Sequence, residues 1–231
     1  MTLCLFYGGG VANTDDEGHI METADFLTVD VYDRPTGGRL RWRLAVKDGL
    51  KRGIDELRAA NVNFSNNGTH SLLPRVVPGG CALVAAWDSA EAAEAAFRGP
   101  LHAAVEDPSR YSLDGEVVRV RFNSEDDDWH GWTPRADGTE PLTADEPMVA
   151  IVHGILRPTR LANFVHNNLH AASRAAHHPG HRGSVDVTSK PPFEHTSISL
   201  WKTRALAEDY AYSRGGPSHA MKHALKTDTH R

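Results

Sequence analysis

An internal repeat constrains this chain more than any other feature of its sequence. Ala85-Ala86-Trp87-Asp88-Ser89-Ala90-Glu91-Ala92 is matched in pattern by Ser199-Leu200-Trp201-Lys202-Thr203-Arg204-Ala205-Leu206. In each copy a tryptophan ends a strand-like run and precedes a helix-like one. Further on, Gly99-Pro100-Leu101-His102-Ala103 is mirrored by Gly216-Pro217-Ser218-His219-Ala220. A repeat at this spacing implies two related supersecondary units rather than one irregular domain.

The units read as strand–helix–strand–strand–helix. In the first, Phe26 to Tyr32 alternates apolar and polar residues with the period of a half-buried strand. Arg39 to Ala60 carries Leu40, Leu44, Leu50, Ile54 and Leu57 at helical spacing, which predicts one long helix closed by Asn61. Cys81 to Trp87 is an apolar strand. Asp88 or Ser89 can cap an alanine-rich helix from Ala90 to about Val105, and Gly115 to Phe122 alternates again. In the second unit, Met148 to Leu156 reads as a strand and Thr159 to Ala176 as a helix broken by His177-His178-Pro179-Gly180-His181. Val185 to Val187 reads as a short strand, Thr196 to Trp201 as another, and a last helix runs through Leu206 and Tyr210. Between the units, Asn123 to Glu146 holds Glu125-Asp126-Asp127-Asp128, Pro134, Gly138 and Pro141, without periodicity, as linkers do. The expected organisation is an N-terminal half over 1–122, an acidic linker over 123–147 and a C-terminal half over 148–231. The fold class is α+β: two tandem ferredoxin-like repeats forming an α/β barrel of the dimeric type. One sheet face of each half is covered by helices, so the bare faces must meet, within the chain or across a dimer. The second copy ends early, so its fourth strand is short or absent.

Composition narrows the function. A chain of 231 residues with 40% hydrophobic and 24% charged residues can bury a sizeable core. A net charge of −5, with basic residues spread among acidic ones, offers no phosphate-collecting stripe and argues against nucleic acid. Cys4 and Cys81 sit in no CxxC pattern, so a zinc knuckle is not expected. No run approaches the roughly 20 apolar residues of a membrane helix, and the start lacks a basic leader. The expectation is therefore a cytoplasmic protein. Nucleophile elbows, P-loops, HExxH and GxGxxG between strand and helix are all missing, which argues against a Rossmann oxidoreductase.

Histidines remain. There are 14, ten of them from His153 onward. His219 and His223 stand four apart after Pro217, which favours a first helical turn, so they share a face that could hold a metal or a haem iron. The alternative is a surface pair on an amphipathic helix. His166 and His170 form a second such pair, with Asn163, Asn167 and Arg174 nearby as a polar wall; a solvated helix face is the simpler account of them. Pro191 and Pro192 fix an extended entry to the strand ending at Trp201, and Phe193 is either core or a flank for a flat cofactor.

Pro192-Phe193-Glu194-His195-Thr196-Ser197-Ile198-Ser199-Leu200-Trp201, followed by Tyr210-Ala211-Tyr212 and Pro217-Ser218-His219-Ala220-Met221, resembles the spheroidene monooxygenase family. Distant relatives of that family include the aldoxime dehydratases and chlorite dismutases. The likeness is specific over this stretch and the block around Trp87, and loose elsewhere. It implies haem b iron held by His219, with Phe193, Trp201 and Met221 around the ring. His166, His170, Arg174 and His195 would be the catalytic groups on the oxygen side, and dioxygen or peroxide the oxidant. It also implies a homodimer. The chain stops soon after His219, and the 125–128 insert is acidic. Both features depart from the family and favour a small apolar or amphiphilic substrate of a specialised biosynthetic pathway over a long carotenoid. Alternatives are a haem-dependent dehydratase, a cofactor-free α/β-barrel oxygenase, which needs an apolar pocket and one base, and a non-catalytic haem carrier.

Overall fold

The computed structural model describes residues 2–6, 25–66, 80–119, 132–133, 143–155, 158–191 and 193–213. Eight strands appear among them: β1 (Thr2–Phe6), β2 (Phe26–Tyr32), β3 (Leu57–Asn66), β4 (Cys81–Trp87), β5 (Arg110–Arg119), β6 (Met148–Ile155), β7 (His181–Thr188) and β8 (Glu194–Trp201). The helices are α1 (Gly38–Lys51), α2 (Ala90–Arg98), α3 (His102–Val105), α4 (Leu161–His177) and α5 (Arg204–Tyr212). The strands close into one barrel in the order β1-β5-β2-β4-β3-β7-β8-β6. Neighbours are antiparallel, except that β1 runs parallel to both β5 and β6. Closure is achieved within one chain. The fold is mixed α+β, and no helix among the described residues is long and apolar enough to cross a membrane.

The elements run in the order β2-α1-β3-β4-α2-α3-β5 and then β6-α4-β7-β8-α5. In the first copy β5 flanks β2; in the second the corresponding place beside β6 is filled by β1. The echo around the two tryptophans has a physical cause. Ser89 caps α2 by accepting from the Ala92 amide at 3.2 Å, and Thr203 caps α5 by accepting from the Leu206 amide at 3.2 Å. Each cap lies two residues after its tryptophan. Trp87 donates to Thr28 Oγ1 at 3.0 Å and meets Phe97 edge-on; Trp201 donates to Ser199 Oγ at 2.9 Å and stacks on Tyr210 at 4.8 Å.

Alternation along the strands divides the buried side chains between two faces. Leu27, Val29, Val31, Ala82, Val84, Ala86, Val117, Val149, Ile151, Val187 and Ile198 point into the barrel and form one core shared by both halves. Trp132 joins that core and donates to Asp25 Oδ2 at 3.0 Å, so part of the expected linker is packed against the barrel. Outside, Tyr32, Trp42, Val46, Cys81, Leu83 and Trp87 pack beneath α1, α2 and α3. Burial there pushes the Cys81 thiol up to about 12. It also raises the Asp30 carboxyl above its ordinary range, although Arg110 pairs with it at 2.7 Å.

The long helix expected over Arg39 to Ala60 is corrected. α1 ends at Lys51, and after a turn with Gly53 and Glu56 at positive φ the chain becomes β3. Leu50, Ile54 and Leu57 still reach one core, but from a helix, a turn and a strand in succession. Three such residues mimic helical periodicity across a boundary. Leu40 and Leu44, expected on the buried face, are exposed; the face that packs carries Trp42, Val46 and Gly49. Asn61 lies inside β3 rather than at a helix end. Several other boundaries move by a few residues, and Val185 to Val187 is the end of an eight-residue strand.

Gly49 is required by close approach. A Cβ there would meet the Pro100 carbonyl oxygen at 2.5 Å and Leu101 Cδ2 at 2.7 Å, where α1 crosses the segment leading into α3. Helix propensity alone would favour alanine by about 1 kcal/mol. The backbone contact outweighs it, so Gly49→Ala should lower stability by roughly 1–3 kcal/mol. Equilibrium urea denaturation measures the sign directly.

Candidate functional site

Among the described residues, the inner wall of the barrel is apolar apart from Asp25, bonded by Trp132, and a row of polar side chains on β3, β8 and β6. β3 supplies the first of that row. Its inward positions are Ala59, Asn61, Asn63 and Ser65, opposite Ala86, Val84, Ala82 and Val187 on the neighbouring strands. The register then continues the row: Ser65 faces Val187, Val187 faces Thr196, and Thr196 faces His153 across β3, β7, β8 and β6. Adjacent strands lie about 4.8 Å apart, so the polar groups form an arc on the inner surface interrupted by Val187. Asn63, Ser65, His153, Glu194 and Thr196 are all buried.

Within the arc, His153 Nδ1 and Thr196 Oγ1 share a hydrogen bond of 2.7 Å, and His153 Nδ1 stands 3.9 Å from Glu194 Oε1. Ser189 Oγ donates to Glu194 Oε2, and Thr188 Oγ1 donates to the Glu194 carbonyl at 2.7 Å, which fixes the entry to β8. On β3, Asn63 Nδ2 donates to the Asn61 carbonyl at 3.0 Å. That bond orients the Asn63 amide. It leaves the buried Asn63 Oδ1 acceptor and the buried Asn61 Nδ2 donor without hydrogen-bond partners. The interior thus combines a wide apolar wall with a histidine held by a hydroxyl and a carboxylate, and with an unused amide donor and acceptor. This arrangement suits a small, mostly apolar molecule carrying one or two polar groups. It can also accept a proton at a histidine while stabilising negative charge at an amide.

The residues expected to form the site do not converge. His166, His170 and Arg174 are exposed on α4; the two imidazoles meet edge-on at 4.6 Å, and Arg174 donates to Ser213 Oγ at 3.0 Å. His195 is buried, but on the outward face of β8, edge-on to Phe164 of α4 at 5.1 Å. Phe193 is exposed in the turn before β8, and Trp201 is buried at its far end among His178, His181 and Tyr210. His219, Met221 and His223 lie outside the described residues. Phe193 and Trp201 cannot flank one macrocycle, because eight extended residues at about 3.3 Å each separate them. The expected ring-lining pair therefore does not fit a haem, and no step is derived through that group.

Asn61, Asn63 and Ser65 escape a periodicity reading because the helical spacing of Leu50, Ile54 and Leu57 runs on into β3. The sequence did carry a signal: Ala59-Ala60-Asn61-Val62-Asn63-Phe64-Ser65 alternates with period two, polar residues falling on the inward side. Amides in that alternation would ordinarily indicate a solvent face.

No family model and no curated protein matches the chain. Among solved structures, it is similar to a candidate monooxygenase from Lactobacillus acidophilus at 10% identity, covering 90% of each chain with a TM-score of 0.33. A candidate monooxygenase from Fusobacterium nucleatum is similar at 9% identity, with 91% of this chain and 89% of that one covered and a TM-score of 0.35. An anthrone oxidase-like protein is similar at 14% identity, with 91% and 88% covered and a TM-score of 0.29. Likeness this distant carries no chemistry, which rests on the residues of the barrel themselves.

Because Asn63 buries an acceptor without a partner, Asn63→Leu should leave stability unchanged or raise it by about 1 kcal/mol. An amide whose hydrogen bonds hold the strand would lose stability by about 1–3 kcal/mol instead. Thermal denaturation of the two proteins side by side distinguishes these outcomes.

Proposed function

We propose that this chain is a monooxygenase-like oxidase that takes a small, largely apolar molecule into a barrel made of two ferredoxin-like halves. One observation carries the reading: a buried amide donor on Asn61 and a buried acceptor on Asn63, both without partners, face an otherwise apolar interior. Each orphan costs about 1–3 kcal/mol in a protein with nothing bound, so a ligand that satisfies them gains affinity and orientation.

The chemistry that suits these groups is oxidation of an activated C–H. His153 removes a proton from a carbon made acidic by an adjacent carbonyl or ring system, and the Asn61 amide donates to the oxygen where negative charge develops. Dioxygen is the oxidant. A methylene becomes a carbonyl: one oxygen atom is bonded to the carbon, and the other leaves as water with the two hydrogens that the carbon gives up. Thr196 and Glu194 act through His153, holding its ring toward the interior.

The test follows oxygen uptake and carbonyl formation with a panel of anthrones and hydroxynaphthalenes. The native protein should accelerate at least one of them. Asn63→Leu should lower kcat/KM about tenfold or more while remaining folded, and His153→Gln should lower kcat. No acceleration across the panel, or full activity in Asn63→Leu, overturns the reading. A Soret band that forms with hemin and disappears in His219→Ala would replace it with a haem enzyme.

A further inference from the structure

We propose that Asp186 and His195 form a second site, outside the barrel interior, that binds a divalent transition-metal cation between α4 and the outward face of β7 and β8. Asp186 lies in β7 between Val185 and Val187, whose side chains turn inward, so its own carboxylate turns outward beneath α4. Its side chain has no exposure to solvent. Both of its oxygens lack a hydrogen-bond partner, and so does His195 Nε2, which faces it. A carboxylate buried without hydrogen bonds costs several kcal/mol. The ion-pair neighbour of Asp186 among the described residues is the His195 imidazole.

The separation of the two groups is informative. His195 Nε2 and Asp186 Oδ1 stand 3.7 Å apart, too far for a hydrogen bond. Two donors bound at about 2.1 Å to one tetrahedral ion stand roughly 3.4 Å apart. The gap thus admits an ion with little movement of either side chain. No set of three or more His, Cys, Asp or Glu side chains is placed to hold a metal among the described residues. Asp186 and His195 thus supply two protein ligands, a carboxylate and an imidazole, and water completes the coordination. Mixed imidazole and carboxylate donors favour zinc, cobalt or nickel over magnesium or calcium. Phe164 of α4 packs edge-on against the His195 ring and fixes its plane. The helix above is lightly seated, with Ala172 its one buried residue, so an ion can enter without unfolding the core.

The experiment uses the whole chain, freed of metal with a chelator and titrated with Co²⁺, reading visible d–d absorption and, for Zn²⁺, calorimetric heat. One site should fill with a tetrahedral or five-coordinate cobalt spectrum. His195→Ala and Asp186→Asn should each weaken it at least about tenfold, while the double variant His166→Ala/His170→Ala leaves it intact. Asp186→Asn removes a buried charge and should melt no lower than the native protein without metal, so its loss of binding is not a loss of fold. Absence of a cobalt spectrum overturns the proposal. So does binding that survives both His195→Ala and Asp186→Asn, or that disappears only when the exposed pair on α4 is removed.

Discussion

Burial of one sheet face against itself governs this molecule. Each half has helices on one side only, and an apolar sheet face left bare would be unstable in water. Curling the eight strands into a cylinder removes both the bare face and the open edges. The inner core therefore belongs to neither half: Val29 and Val84 come from the first, Ile151 and Ile198 from the second, and Trp132 from the segment between them. Neither half could keep that layer dry alone. The polar row crosses from β3 over β7 to β8 and β6, and this is where a closed interior can accommodate chemistry without opening the packed wall on the opposite side.

How much of this was legible in the sequence depended on whether a signal was local. The Trp–x–Ser and Trp–x–Thr echoes were readable because strand end, cap and helix start are set within a few residues of each other. The break between α1 and β3 was not, since Leu50, Ile54 and Leu57 keep a helical spacing while the backbone changes state at Gly53 and Glu56. The site suffered most from that error. Asn61, Asn63 and Ser65 look like a solvated stripe until barrel closure places them inside, and closure is a property of distant strands that no window along the chain contains. The histidines were conspicuous for the opposite reason. His166 and His170 stand out by spacing but are exposed, whereas His153 and His195 attract no notice by spacing and are buried beside carboxylates.

The two halves also differ in how firmly their helices are held. The first half packs Tyr32, Trp42, Leu83, Trp87 and Leu101 into a continuous layer, with Trp42 Nε1 donating to the Ala104 carbonyl at 3.1 Å. The second relies on a smaller cluster around Trp201 and Tyr210, and α4 adds little to it. Local opening free energies follow packing of this kind. Among the described residues, the outward face of β7 and β8 is therefore less firmly covered, and it is also where a carboxylate and an imidazole are buried side by side.

The placement of β1 has a consequence for how the protein is made. Thr2 to Phe6 leaves the ribosome before the other strands of the barrel, yet its partners are β5 and β6, of which β6 ends at Ile155. At about 5–20 residues per second, the leading strand waits roughly 10–30 s for its second neighbour to exist. During that interval β2 to β5 can assemble as an open sheet whose inner surface is still uncovered, and the cylinder is sealed by the earliest-made of its strands. Nascent-chain survival should accordingly depend on factors that shelter an incomplete sheet at the ribosome exit.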